Sequence, residues 1–239
     1  ADCWLIGIEE HVANKKENKD EFSRRFAVWK KMKEQGLVDL IKYTTESKIS
    51  LDGKNEGWNN RTWTAMNTVC RSAGFEIGEL DENKGKQNWG GEKGSVALIE
   101  AMLFPAPSTR QWPYKEWSKF GIEAREKCAK EFLEKRFKNL VKKINYTKRK
   151  PKVVILYGRQ YTKEFDIRNE WKKVIDVSGG VDWPKDFVDG GTRKSWFEWR
   201  KNKSILFFYM AQPASMRGSK KEICERIGGK IKKLLDGSD

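Results

Sequence analysis

Four short stretches of this chain are apolar almost without a break, and they restrict its fold more than any other feature. They are residues 3–8 (CWLIGI), 95–104 (SVALIEAMLF), 153–157 (VVILY) and 205–210 (ILFFYM). A strand with one wet face alternates apolar and polar residues, whereas a strand covered on both faces reads as a continuous apolar run. Helical spacing lies between them. Phe22, Phe26 and Trp29 recur at i, i+4, i+7 and stop near Gly36. Leu133, Phe137, Leu140 and Ile144 recur at i, i+4, i+7, i+11, and Ile223, Ile227, Ile231 and Leu235 step by four. Strands alternating with helices form βαβ units. The expected fold is therefore α/β, three layers (α/β/α) around a central four-stranded, mostly parallel sheet. The 239 residues suffice for one such core, and no internal repeat divides them. A single domain over 1–239 is expected, elaborated at about 176–204 by a loop or small hairpin. There Gly179-Gly180, Pro184 and Gly190-Gly191 are interleaved with Trp183, Trp196 and Trp199.

Charge narrows the partner. Lys and Arg total 49 against 34 Asp and Glu, a formal net charge of +15. Twelve per cent aromatic residues, including 11 Trp, argue against disorder. So large a cationic surplus suits a polyanion, because each phosphate neutralised releases a condensed counterion. Solubility alone is the plainer reading, and a membrane surface would require a basic amphipathic helix with a lipid-facing apolar side. No apolar run approaches the roughly 20 residues that cross a bilayer. The 4–8 stretch is too short for a signal-peptide core and has no basic flank. The four cysteines, Cys3, Cys70, Cys128 and Cys224, form no CxxC pair. Neither a zinc site, an iron–sulfur cluster nor a disulfide scaffold is expected. The expectation is a soluble cytoplasmic monomer with no metal, no cofactor and no membrane, whose partner is nucleic acid.

Each apolar run is followed by Gly or Pro, namely Gly7, Pro105, Gly158 and Pro213. In an open parallel sheet, ligands bind outside the carboxyl ends of the strands, so these four turns should meet at one crevice. Residues 7–11, 100–111, 158–161 and 212–218 are thus the candidates for chemistry. Two stretches rich in Gly, Asn and Lys, 50–60 and 78–94, read as surface loops.

The turns themselves carry a resemblance. GIEEH after the first run, PAPSTRQWP after the second and QPASMRG after the last look like the motifs of the uracil-DNA glycosylase superfamily. That superfamily has G-Q-D-P-Y-H or G-I-N-P-G after its first strand, and H-P-S-P or M-P-S-S-S-A-R after its fourth. Gly7-Ile8-Glu9-Glu10-His11 keeps the Gly and a polar residue two places on, and lacks the Pro. Gln212-Pro213-Ala214-Ser215-Met216-Arg217 keeps a Pro, a Ser and an Arg, with Gln where His or Met would stand. Pro105, Pro107, Arg110 and Pro113 are similar to the P-P-x-N-R-x-P run of iron–sulfur members, without the cluster cysteines.

The resemblance implies a DNA glycosylase, a hydrolase that flips a nucleotide and cuts its N-glycosidic bond. Cutting that bond builds positive charge on the sugar and negative charge on the departing base. Glu9 stands where relatives position the attacking water with Asp or Asn, and a carboxylate there can orient and deprotonate water. Glu10, its neighbour, is the alternative if the alignment slips by one. Gln212 would face the base, its amide donating to the leaving oxygen less strongly than an imidazole. Relatives read the base with an Asn near the end of the second strand; here Glu100 is the only polar residue in 96–104. A carboxylate can accept from an exocyclic amine such as cytosine N4, although a Glu facing solvent at an edge or bulge fits the sequence equally well. Phe104 and Tyr161 are candidates to stack on the flipped base, against the plainer reading as core aromatics. His11, the only histidine, stands one place earlier than the His of G-Q-D-P-Y-H and is a further base-binding candidate or a structural imidazole. These departures point to a modified or damaged base in place of plain uracil. Divergent members that act on modified viral DNA make anti-phage defence an alternative to base-excision repair.

DNA contacts are expected from Ser215 and Arg217 in the last motif, and from Arg110, Arg159, Lys194, Lys220 and Lys221, which follow strand ends or sit in the Trp-rich stretch. Residues 124–150 hold eleven Lys or Arg against three Glu, a local surplus of eight. Their end, Lys148-Arg149-Lys150, precedes the third strand and so belongs at the amino edge of the sheet, away from the crevice. Rival functions lack parts. No G-x-G-x-x-G or G-x-x-x-x-G-K-[ST] follows the first run. The nearest carboxylate set for a metal-dependent nuclease, Asp166 with Glu170-Trp171-Lys172, falls on a helical pattern. The closer rival is a glycosylase fold that binds DNA without catalysis.

Overall fold

The computed structural model describes residues 1–7, 60–76, 94–100, 134–158, 167–175, 183–189, 194–210 and 220–237. They form six strands: β1 (Cys3–Gly7), β2 (Val96–Glu100), β3 (Val153–Tyr157), β4 (Lys185–Asp189), β5 (Lys194–Asn202) and β6 (Ile205–Met210). The helices are α1 (Asn60–Ser72), α2 (Glu134–Tyr146), α3 (Ile167–Ile175) and α4 (Lys220–Asp236). All six strands join one sheet in the order β2-β1-β3-β6-β5-β4. The first four are mutually parallel, β5 runs antiparallel to β6, and β4 runs antiparallel to β5.

The α/β class follows from the alternating elements, but the sheet has six strands, not the four expected. The extra pair comes from the Trp- and Gly-rich stretch, which forms a hairpin and widens the central sheet. Its β5 reads KSWFEWRKN, neither a continuous apolar run nor a clean alternation, so it lacks the signature of a buried strand. Pairing brings it into the sheet all the same: β5 takes the edge hydrogen bonds of β6, and its Phe197 and Glu198 are buried. The helical pattern at 22–29 and the polar stretches at 50–59 and 78–93 lie outside the described residues.

β1, β3 and β6 are buried along their whole length, and alternation sends their side chains to two separate layers. On one face Cys3, Leu5, Val153, Ile155, Leu206, Phe208 and Met210 pack with Met66, Val69 and Cys70 of α1 and with Ile223, Cys224, Ile227 and Ile231 of α4. On the other, Phe137 of α2 meets Trp171 of α3 edge-on at 5.1 Å, and Trp171 meets Phe207 of β6 at 6.1 Å. Each such fully buried side chain contributes about 1.5–3 kcal/mol through removal of apolar area from water. Cys3, Cys70 and Cys224 are buried free thiols. Burial first, and then the neighbouring Cys70, pushes the Cys3 thiol up, so it packs as a protonated apolar group.

α1 and α4 approach closely at Gly228. A Cβ there would fall on the Val69 carbonyl oxygen and the Ser72 side chain, and would sit 3.0 Å from the Ala73 amide nitrogen. The next residue, Gly229, has nothing within 4 Å of the same added atom. Adjacent glycines in one helix therefore have opposite reasons to be glycine. Gly228→Ala is expected to lower the unfolding free energy by about 1–3 kcal/mol, as an overpacked contact does. Gly229→Ala is expected to raise it by about 0.5–1 kcal/mol through helix propensity. Denaturant midpoints of the two variants check both signs.

Candidate functional site

The register of the parallel ladder fixes where the strands end. Gly7 of β1 pairs with Glu100 of β2 and with Tyr157 of β3, and Tyr157 pairs with Met210 of β6. Four strands thus finish level on one rim. Neighbouring strands lie about 4.8 Å apart, so Gly7 and Met210, two spacings apart, are separated by about 10 Å. The exit of β3 is tied to β6 twice. The Gly158 amide donates to the Met210 carbonyl at 3.2 Å, and the Tyr209 hydroxyl donates to the Gly158 carbonyl at 3.2 Å. Gly158 takes φ 141°, a conformation that L side chains rarely adopt, which accounts for a glycine at this turn.

The strand order adds a second constraint. α1, the first described helix after β1, covers one face, whereas α3, the first after β3, covers the other. β1 and β3 are neighbours, and the described helices that follow them lie on opposite faces of the sheet. In open α/β sheets, ligands bind at such a switch point, outside the carboxyl ends of the strands. β5 raises a wall beside it. Phe197 is level with Met210, and the strand continues to Lys194, about 10 Å further at some 3.3 Å per residue. Lys194 pairs there with Asp189 of β4.

Of the expected site residues, the backbones of Glu100 and Lys194 fall at this rim and on this wall. Glu100 closes β2, and its register places it beside Gly7. Lys220 and Lys221 open α4; the Lys221 ammonium is exposed and lies 3.9 Å from Glu225 one helical turn on. Glu9, Glu10, His11, Phe104, Arg110, Arg159, Tyr161, Gln212, Ser215 and Arg217 lie outside the described residues. Their sequence positions follow Gly7, Glu100, Gly158 and Met210, the four strand ends that share the rim.

One cluster escaped the sequence reading. Glu198 on β5 is 1% exposed, level with Tyr209 and one residue below the rim. Arg168 of α3 grips it with two nitrogens, Nε donating to Oε2 at 2.7 Å and the guanidinium terminus to Oε1. Lys172, one turn later, reaches Oε2 at 2.6 Å, and its ammonium also lies 5.4 Å from the centre of the Trp183 ring. Two signals for this cluster stand in the sequence: an acid between Phe197 and Trp199, and basic residues spaced i, i+4 on a helical pattern. Burial alone would raise the Glu198 carboxyl, but hydrogen bonds and charge from Arg168 and Lys172 outweigh it and hold the carboxyl below the ordinary range. An ionised carboxylate already shared by two cations is a poor proton acceptor, and this cluster fixes α3 to the wall. Glu170, considered as a metal ligand, is taken by Lys173 at 2.7 Å. Among the described residues no group of three His, Cys, Asp or Glu could hold a metal ion, and no helix is long and apolar enough to cross a membrane. Comparison with family models, curated proteins and solved structures finds no match to the chain.

Glu198→Gln is expected to cost about 2–4 kcal/mol, near the penalty for breaking a buried ion pair and leaving its cations uncompensated. The carboxyl titrates lower folded than unfolded, so its contribution is complete above about pH 4.3 and disappears as pH falls through the lowered folded value. Wild type should therefore lose its advantage over the variant in acid, which paired denaturation curves across that range would register.

Proposed function

We propose that the chain is a monofunctional DNA glycosylase of the uracil-DNA glycosylase type, acting on a modified or damaged base at the carboxyl rim of its sheet. The observation that carries this reading is the level ending of β1, β2, β3 and β6 beneath a switch point. A glycosylase must bring groups from distant loops to the sugar, the base and the flanking phosphates of one everted nucleotide. Loops that leave one rim within about 14 Å of each other, three strand spacings, suit that task, and the net charge of +15 suits a polyanionic substrate.

In this reading Glu9, two residues beyond Gly7, faces the sugar. Its carboxylate orients a water and stabilises the cationic sugar as the C1′–N bond lengthens. The water oxygen bonds to C1′, its proton passes to Glu9, and the base leaves with the bonding pair before taking up a proton. Glu10 fills the same role if the register of the turn shifts by one. Gln212 donates its amide to the base oxygen where negative charge collects, and Glu100 accepts from an exocyclic amine. Phe104, His11 or Tyr161 closes on the base, while Ser215 and Arg217, with Arg110, Arg159 and Lys194, hold the backbone. An amide at 212 stabilises an anionic leaving group less than an imidazole would, which fits a base that leaves more readily than uracil.

The test is incubation with genomic DNAs carrying different modified bases, with mass spectrometry of any free base. Wild type is expected to release one base. Glu9→Gln and Glu9→Ala should reduce release by about 100-fold or more, in line with loss of a general base, while salt-dependent DNA affinity persists. Salt-dependent affinity with no base released from any DNA would instead identify a binding protein on a glycosylase-like scaffold. Affinity that stays flat from low to moderate salt would remove DNA as the substrate.

A further inference from the structure

We propose that the outer face of α2 is a track for single-stranded DNA that leads away from the carboxyl rim. The inference extends the glycosylase reading and rests on its DNA substrate. α2 buries Phe137, Leu140 and Ile144 against the sheet and α3. At 100° per residue, Lys135, Lys142 and Tyr146 fall on the line diametrically opposite, with Lys138 and Asn139 flanking it. All five are exposed, and Tyr146, at 85%, stands out among large hydrophobic side chains. The helix has therefore spent its apolar side on the core and presents ammonium groups and one aromatic ring outward.

Placement gives the stripe a direction. α2 ends six residues before β3, whose first residues are stitched to the start of β1 by the Lys152 and Val153 amides donating to the Asp2 carbonyl. The carboxy-terminal end of α2 is thus at the amino edge of the sheet, and a helix lying along the sheet from there has its first turn towards the carboxyl rim. The stripe from Lys135 to Tyr146 covers about 16 Å. A stacked strand carries a phosphate about every 3.4 Å, so about five phosphates pass along it. Beyond Tyr146, Lys148 and Lys150 continue the exposed basic surface, whereas Arg149 and Lys152 are occupied by Asp2 at 2.7 and 3.3 Å. No acidic residue occurs in the sequence between Glu134 and Glu164.

The chemistry favours an unpaired strand over the other polyanions. An exposed Tyr among lysines offers a stacking platform to a base that a duplex keeps inside its own stack. A lipid surface requires an apolar face to insert, and the exposed side of α2 has only the Tyr146 ring. The track differs from the rim contacts in elements, residues and role: it holds the strand on either side of the extruded nucleotide and takes no part in bond cleavage.

The experiment titrates full-length protein against a fluorescein-labelled single-stranded oligodeoxynucleotide at several salt concentrations. Lys135→Ala/Lys142→Ala is expected to flatten the log–log salt slope by about 1.4, at about 0.7 per phosphate released on a single strand. Tyr146→Ala should weaken binding about fivefold or more, with Tyr146→Phe restoring it. Lys232→Ala/Lys233→Ala, which removes the same charge from exposed positions on α4 across the sheet, should leave the slope nearly unchanged. Equal effects from the α4 pair, or wild-type binding by Tyr146→Ala, overturn the track. Loss of binding to phosphatidylserine vesicles in Tyr146→Ala, with oligonucleotide binding intact, overturns it in favour of a lipid surface. Base release measured on the same variants separates the two readings. A track that fails while release continues leaves the rim standing, and a wild type without single-stranded oligonucleotide affinity removes the track, whereas absence of base release from every DNA removes the rim chemistry.

Discussion

The parallel ladder through β1, β3 and β6 is the constraint on which the described structure depends. These strands are buried on both faces, so no water reaches their amide and carbonyl groups, and only the ladder can satisfy them. Slipping any of them by one residue would exchange its two side-chain layers and drive Trp4 or Phe207 into the space shaped for Leu5 or Phe208. Register is thereby fixed by packing, and level strand ends follow from it. The rim is a geometric consequence of the core. Whatever the loops beyond it carry, they start from a platform that core packing holds in place.

That platform was legible in the sequence because a strand buried on two faces has a distinctive pattern. VVILY and ILFFYM contain no polar residue on either face, and both became central strands with the boundaries the pattern gives. The parts that escaped had ordinary reasons. α1 (NRTWTAMNTVCRS) buries small or soft side chains, Ala65, Met66, Val69 and Cys70, between threonines and polar residues, so its helical period is faint beside that of α4. Phe197 and Glu198 of β5 are buried through the pairing with β6 and the ion pairs to α3, a tertiary effect that overrides a local sequence of charges and aromatics. The ion cluster at Glu198 joins elements 30 residues apart, and spacing within one segment cannot reveal such a partner. For the candidate site, Gly7 and Gly158 mark the ends of β1 and β3 in the sequence, whereas Pro105 and Pro213 lie outside the described residues; the pairing partners that bring the four strand ends level needed the fold.

Acidic residues are deployed in a way that sharpens the positive surface. The two carboxylates that hold the described framework together, Glu198 and Asp2, each take two cations: Arg168 with Lys172, and Arg149 with Lys152. Both are held below the ordinary carboxylate range by those partners against the opposing effect of burial. Four basic side chains are thus committed to fixing α3 to the wall and the approach to β3 to the start of β1. Lys135 and Lys142 have no such carboxylate among the described residues, and their charge stays directed at solvent.

This division connects the rim to the helix beside it. A cation paired with a buried acid contributes little field outside the protein, whereas an exposed row of ammonium groups acts over about a Debye length, roughly 8–10 Å in ordinary salt. The stripe on α2 begins at the end of the helix nearest the rim, so its field overlaps the approach to the crevice above β1 and β3. On the proposed reading, a DNA strand drawn in by charge along α2 would be delivered with one end towards the loops that follow Gly7 and Met210. Sequence-independent capture on the helix and nucleotide selection at the rim would, on that reading, be separable tasks. The first is set by exposed lysines that no core contact requires, and the second by loops anchored to the most tightly packed strands of the sheet.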